Sequence, residues 1–149
     1  MKVFIGSDYR GFELKKALME FLNSRGFETI DKGAYEYNEG DDFNDPAIAV
    51  AKAVKNEPDT MGILVCDSAH GVTMQANRFK RIRAANCDSV ESAKLAREHD
   101  NANVLCLSAH FVDAEKMRDI VEAFLDTNFV NLERRIRRIG RLDEGVNYD

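Results

Sequence analysis

The stretch "MGILVCDSAHGVTMQANRF", residues 61–79, decides the fold. "GILVC" is a short uncharged run, the pattern of a strand covered on both faces in a parallel sheet. "CDSAHG", residues 66–71, then turns through a thiol, an acid, a hydroxyl and an imidazole. "GVTMQANRF" opens a helix. Strand, polar turn and helix make one βα unit, and the same alternation continues outward on both sides.

Upstream, "KVFIGSD" reads as strand one. A helix follows with Leu14, Ala17, Leu18, Phe21 and Leu22 on one stripe, stopped at Gly26. "ETIDKG" reads as strand two, and "DPAIAVAKAV" begins a helix that Asp45 can cap with Pro46 in its first turn. Downstream, "IRAANC" reads as strand four. "DSVESAKLAREHD" is a helix whose Asp88 and Glu91 are spaced like a capping box. "ANVLCLSA" is strand five. The next helix turns Met117, Ile120, Val121, Phe124 and Leu125 inward, and a last helix, at about 131–142, carries arginines. The predicted class is therefore α/β: a Rossmann-like three-layer α/β/α sandwich with a five-stranded parallel sheet, one domain over residues 1–149.

Composition narrows the function. The 149 residues carry a net charge of -5, which disfavours non-specific nucleic-acid binding. No apolar run reaches membrane-spanning length. The N-terminus is apolar too briefly for a signal peptide, so a cytoplasmic location is expected. Three cysteines in no CxxC spacing argue against a disulfide framework, and Cys87 and Cys106 read as small buried hydrophobes.

In such sheets ligands bind at the carboxyl ends of strands, near the switch in strand order. "GSDYRG", "CDSAHG" and "SAHF" leave strands one, three and five with reactive residues. "GSDYRG" is neither a dinucleotide fingerprint nor a phosphate loop. Cys66, beside a helix start, reads either as a packing residue or as a nucleophile or general base whose pKa the helix dipole would lower. Loop N–H groups there can hold a developing oxyanion. Asp8 can cap the first helix or polarise a hydroxyl. His99, at the end of helix four, is a surface cap or a functional imidazolium. Arg134 and Arg138 share a helix face that suits a phosphate dianion, a partner chain or plain solvent.

Together these motifs carry a family resemblance. "IGSDYRGFELK", "GILVC...G...ANR...IRAA", "SAKLAREHDNANVL" and the Arg134/Arg138 pair resemble the type B ribose-5-phosphate isomerases and the galactose-6-phosphate isomerase subunits. The resemblance covers nearly the whole chain. It implies a cofactor-independent, metal-independent aldose–ketose isomerase of a phosphorylated sugar, acting through an enediolate. It implies a homodimer or a dimer of dimers with active sites between chains, to which the last helix contributes. By the same resemblance Cys66 is the base, Ser68 and the loop bind the enediolate, His99 opens the sugar ring, and Asp8 contacts the ring oxygen or a hydroxyl. Arg134 and Arg138 take the phosphate. Tyr9, Arg10, Asp67, Ala69, His70, Gly71, Thr73, Asp100, Asn101 and His110 complete the expected substrate contacts.

Several of these depart from the family pattern. The loop C-G-T-G-x-G is Cys66-Asp67-Ser68-Ala69-His70-Gly71 here, so Asp67 and Ala69 replace glycines. Asp67 would raise the thiol's pKa unless it points away, and His70 could pair with it or reach substrate. A usual histidine is Tyr9, "DYPD" is Asp42-Phe43-Asn44-Asp45, "HND" is His99-Asp100-Asn101, and a usual arginine is His110. Arg10 or His110 could restore some positive charge. Ribose 5-phosphate is the first substrate expected. A hexose 6-phosphate (galactose or allose), a tetrose phosphate, a non-catalytic subunit of a hetero-oligomer, and a Cys66/His70 hydrolase are the other readings.

Overall fold

The structure, a computed structural model, describes residues 1–146. Five strands form one sheet: β1 (Lys2–Ser7), β2 (Glu28–Asp31), β3 (Met61–Cys66), β4 (Ala84–Asn86) and β5 (Val104–Ser108). Their order is β2-β1-β3-β5-β4 and every pairing is parallel. The helices are α1 (Phe12–Ser24), α2 (Asn44–Asn56), α3 (His70–Ala76), α4 (Val90–Asp100), α5 (Ala114–Asp126) and α6 (Glu133–Arg141), with a 3-10 turn at Tyr9–Gly11. The α/β fold expected from the sequence is the one observed. No helix among the described residues is long and apolar enough to cross a membrane.

Strand alternation splits the core in two. Val3, Ile5, Ile63, Val65, Leu105 and Leu107 face α1, α4 and α5. Phe4, Leu64, Cys66, Val104 and Cys106 face α2 and α3. The five inward residues expected on α5 are all buried. Fully covering Phe124 or Ile120 stabilises by about 1.5–3 kcal/mol each. Cys87 and Cys106 are 1% and 0% exposed, as small buried hydrophobes, and burial pushes the Cys106 thiol up to about 12.

Some local expectations need correction. Ala17 is exposed, and Lys15 is buried instead. The Lys15 ammonium donates to Asp31 Oδ1 at 2.9 Å and to the Ala34 carbonyl, so its stem can cover the core while its charge stays paired. Ser89, not Asp88, caps α4, accepting from the Ser92 N–H at 3.1 Å. Asp45 lies inside the first turn of α2 and does not cap it, though its charge still suits that end. Gly26, at φ +89°, ends α1 as expected.

The chain runs from β1 outward to β2, then crosses back to β3 on the other side of β1. The switch point therefore lies between the carboxyl ends of β1 and β3, where Asp8 and Asp67 begin their turns.

Candidate active site

Two turns meet at this switch. After β1, Asp8 Oδ1 accepts the Gly11 N–H at 3.2 Å and caps the 3-10 turn. Gly11 has to be glycine because a Cβ there would lie 2.5 Å from the Val65 carbonyl oxygen. This close approach seats the Asp8 turn against the end of β3, beside Cys66. Gly11→Ala is therefore expected to lower stability by about 1–3 kcal/mol, read as a lower denaturant midpoint, because backbone must move. An unchanged midpoint would mean that the two turns do not touch.

After β3, Cys66 lies beneath its own loop and is 5% exposed. Its Sγ accepts the Ala69 N–H at 3.2 Å. Ala69 stands at φ +69°, where glycine is the unstrained residue, and hands the chain to α3. Ser68 Oγ accepts the His70 N–H at 3.3 Å, and Thr73 Oγ1 donates to the Ala69 carbonyl at 2.6 Å. Gly71 lies under the Phe43 ring, which a Cβ would meet at 2.7 Å.

The expected lowering of the Cys66 pKa does not occur. Burial pushes the thiol up, and Asp8 and Asp67 add to this. The Ala69 and Val72 N–H groups oppose it and do not prevail. The helix-start effect is outweighed because the sulfur sits in an apolar layer beside two carboxyl groups. Asp8 is raised as well, first by burial and then by Asp41 and Asp67, against its bonds from Gly11 and Arg10.

Asp41 was not among the residues singled out from sequence. Its Oδ1 accepts the Tyr9 N–H at 3.3 Å, while Oδ2 is buried without a partner. Only its place in an acidic loop hinted at it.

Asp67 points outward. Its Oδ1 stands 3.7 Å from His110 Nδ1, and its carbonyl accepts the His110 N–H at 3.0 Å and the Ser108 hydroxyl at 2.6 Å. His110, rather than His70, is thus the neighbour of Asp67. His70 is exposed and lines a cavity of about 310 Å³ with Ser68, Asn86, Asp88 and Ser108. Asn86 and Asp88 come from the end of β4, a strand whose turn the sequence reading left out. Arg10 donates from Nε to the Tyr9 hydroxyl at 3.1 Å and lies over that ring, within electrostatic reach of Asp67. Among the described residues no cluster of three or more His, Cys, Asp or Glu could hold a metal.

His99, Asp100, Asn101, Arg134 and Arg138 lie elsewhere. α4 ends at Asp100, Asn101 follows at φ +48°, and Asn103 accepts the N–H of Gly62 at the start of β3. These residues sit at the amino edge of the sheet. β5 separates them from the Cys66 turn by about 13 Å at ~3.3 Å per residue. The Asn101 side chain is turned inward, its Oδ1 accepting from Arg97 Nη1 at 2.9 Å. α6 is held to α4 by Arg135, whose Nη1 donates to the Glu98 carbonyl at 3.1 Å. Arg134 and Arg138 are exposed and have no ion-pair partner among the described residues. One chain therefore brings together Asp8, Cys66, Ser68 and their neighbours, but places His99 and the arginine pair at its other end.

Comparison with known proteins sets this geometry in a family. Residues 3–142 match the model described as Ribose/Galactose Isomerase. The chain is 43% identical over 145 residues to a probable ribose-5-phosphate isomerase B of Mycoplasma genitalium, covering 95% of each chain. It superposes on the crystal structure of the Mycoplasma genitalium ribose-5-phosphate isomerase B with bound ribulose-5-phosphate, with a TM-score of 0.91 and 42% identity. That match covers 96% of this chain and 94% of the other. The Clostridium thermocellum ribose-5-phosphate isomerase B also matches with a TM-score of 0.91, at 39% identity, covering 97% and 96%. The chain belongs to the ribose/galactose isomerase family.

Proposed function

We propose that this protein interconverts ribose 5-phosphate and ribulose 5-phosphate, by proton transfer between adjacent carbons through an enediolate. The observation that carries the reading is the seating of Cys66 and Asp8 at adjacent strand ends, in a fold shared with a relative crystallised with ribulose-5-phosphate. In the open-chain aldose, Cys66 as thiolate removes the proton alpha to the carbonyl. The electron pair moves onto the carbonyl oxygen; the thiol then returns its proton to the former carbonyl carbon while the hydroxyl proton on the second oxygen passes to the first, leaving the new carbonyl on the second carbon. The negative oxygen needs donors, and the loop over residues 67–71 together with Ser68 supplies them. Asp8, whose carboxyl pKa is pushed up by burial and then by Asp41, stands beside Cys66 where it can hydrogen-bond a sugar hydroxyl.

Ring opening and phosphate binding fall to His99, Arg134 and Arg138. Because β5 separates them from Cys66 in one chain, in this reading a second copy supplies them and the working unit is at least a homodimer. Tyr9, Ala69, Gly71, Thr73, His70, Asp100 and His110 then line the remaining surface. The separation of the two residue sets within one chain supports this arrangement.

The test is proton exchange in deuterated water, followed by NMR at the carbon next to the carbonyl. The panel is ribose 5-phosphate, ribulose 5-phosphate, galactose 6-phosphate, allose 6-phosphate and erythrose 4-phosphate. Exchange fastest with the pentose phosphates is expected. Exchange with none of them would remove the isomerase reading, and preference for a hexose phosphate would reassign the substrate.

A further inference from the structure

A cavity of about 390 Å³ opens at the amino edge of the sheet, the end opposite Cys66. Lys55, Arg81, Arg83 and Arg97 line it, and among the described residues Asp59 is the only acid that does. Four cations round one cavity are unusual on a chain whose net charge is -5. None of the four forms an ion pair among the described residues. Asp143 accepts the backbone N–H of Arg81 at 3.1 Å and acts on Arg83 through space, without an ion pair to it.

Two of these guanidinium groups are fixed in place. Arg97 is 7% exposed. Its Nε donates to the Thr127 carbonyl at 3.0 Å, and its Nη1 to Asn101 Oδ1 at 2.9 Å and the Ala102 carbonyl at 2.6 Å. Arg83 Nε donates to the Asn101 carbonyl at 2.7 Å. The Nη2 group of each bonds to nothing among the described residues. Burial disfavours both charges, and Arg83 disfavours Arg97 further. A guanidinium does not deprotonate in a protein, so both charges persist. Residue 101 is an amide where a carboxylate would have neutralised Arg97. Two like charges beside one cavity, each with an unbonded Nη2 group and neither in an ion pair among the described residues, form a site short of its anion.

We propose that this cavity is a second oxyanion site, which takes free phosphate or a small phosphate ester on the Nη2 groups of Arg83 and Arg97, with Lys55 and Arg81 at its rim. It is separate from Arg134 and Arg138, which do not line it. It is coupled to the last turn of α4, because both arginines hold Asn101, two residues beyond His99. An anion there stiffens the segment that carries His99.

The experiment uses the full chain carrying Arg134→Ala and Arg138→Ala, so that the other phosphate site is disabled. The nitrogen-15-labelled protein is titrated with inorganic phosphate in one arm and glycerol 3-phosphate in another, with ionic strength held by chloride. Saturable shifts at the amides of Thr60, Arg83, Asn101 and Asn103 are expected in at least one arm. Saturation by phosphate assigns the site to the free ion, and saturation by the ester alone assigns it to a metabolite. Adding Lys55→Gln and Arg81→Gln is expected to weaken binding by about tenfold or more, leaving shifts elsewhere in the spectrum unchanged. Neither side chain is in the core, so this variant keeps the fold. No saturable shift at the four amides in either arm, or equal affinity in the glutamine variant, overturns the proposal.

Discussion

Cys66→Ala is expected to lower kcat by about 10²–10⁴, the usual contribution of a positioned general base. The fold should survive, since only a sulfur is lost from a site at the margin of its core layer. An unaltered amide spectrum would show that survival, while deuterium exchange into substrate stops. Retention of full exchange would mean that another group takes the proton. The pH profile tests the same assignment. Burial, Asp8 and Asp67 raise the Cys66 pKa, and in the proposed mechanism the active form is the thiolate. The rate in wild type should therefore keep rising with pH through neutrality, toward a pKa above that of an ordinary thiol. Asp67→Asn removes one of the groups that raise it, so the rising limb should move to lower pH. A limb that stays in place in this variant, or falls with pH, would separate the rate from the sulfur.

Much of this site was legible in sequence, and the reason is local. Cys66 ends a strand, and Asp8 and Ser68 follow strands within two residues, so strand pattern and parallel topology were enough to place them at one edge. Lys15 was missed because helical periodicity sorts residues by polarity. A lysine that meets Asp31 at a strand end breaks that sorting. Asp41 was missed because it sits in a loop whose path depends on where Tyr9 offers its N–H. The sign of the Cys66 pKa shift was missed for a related reason. A helix start can be read from sequence, whereas the apolar layer and the two carboxyl groups that outweigh it depend on packing. The pairing of Asp67 with His110 needed β3 and β5 to be neighbours, which the order of strands along the chain does not reveal.

Mixing two inactive variants is expected to restore activity. Arg134→Ala with Arg138→Ala removes the two phosphate contacts proposed above, worth about 3–6 kcal/mol together, so kcat/KM should fall by about 10²–10⁴. Alone, neither this variant nor Cys66→Ala turns over appreciably. In a hybrid dimer one site carries both defects. The other takes its sulfur from the arginine variant and its arginines from the alanine-66 variant, so it is intact. Random re-association of equal amounts makes half the dimers hybrids, and the mixture should recover about a quarter of wild-type activity. The recovery should appear only after subunits have been allowed to exchange. It should scale with the product of the two variants' fractions rather than with either alone. Were Cys66 and the arginine pair to serve the same site from one chain, every hybrid site would carry a defect, and the mixture would stay at the sum of its parents. The β5 strand that keeps the two residue sets apart in a single chain is what makes the first outcome the expected one.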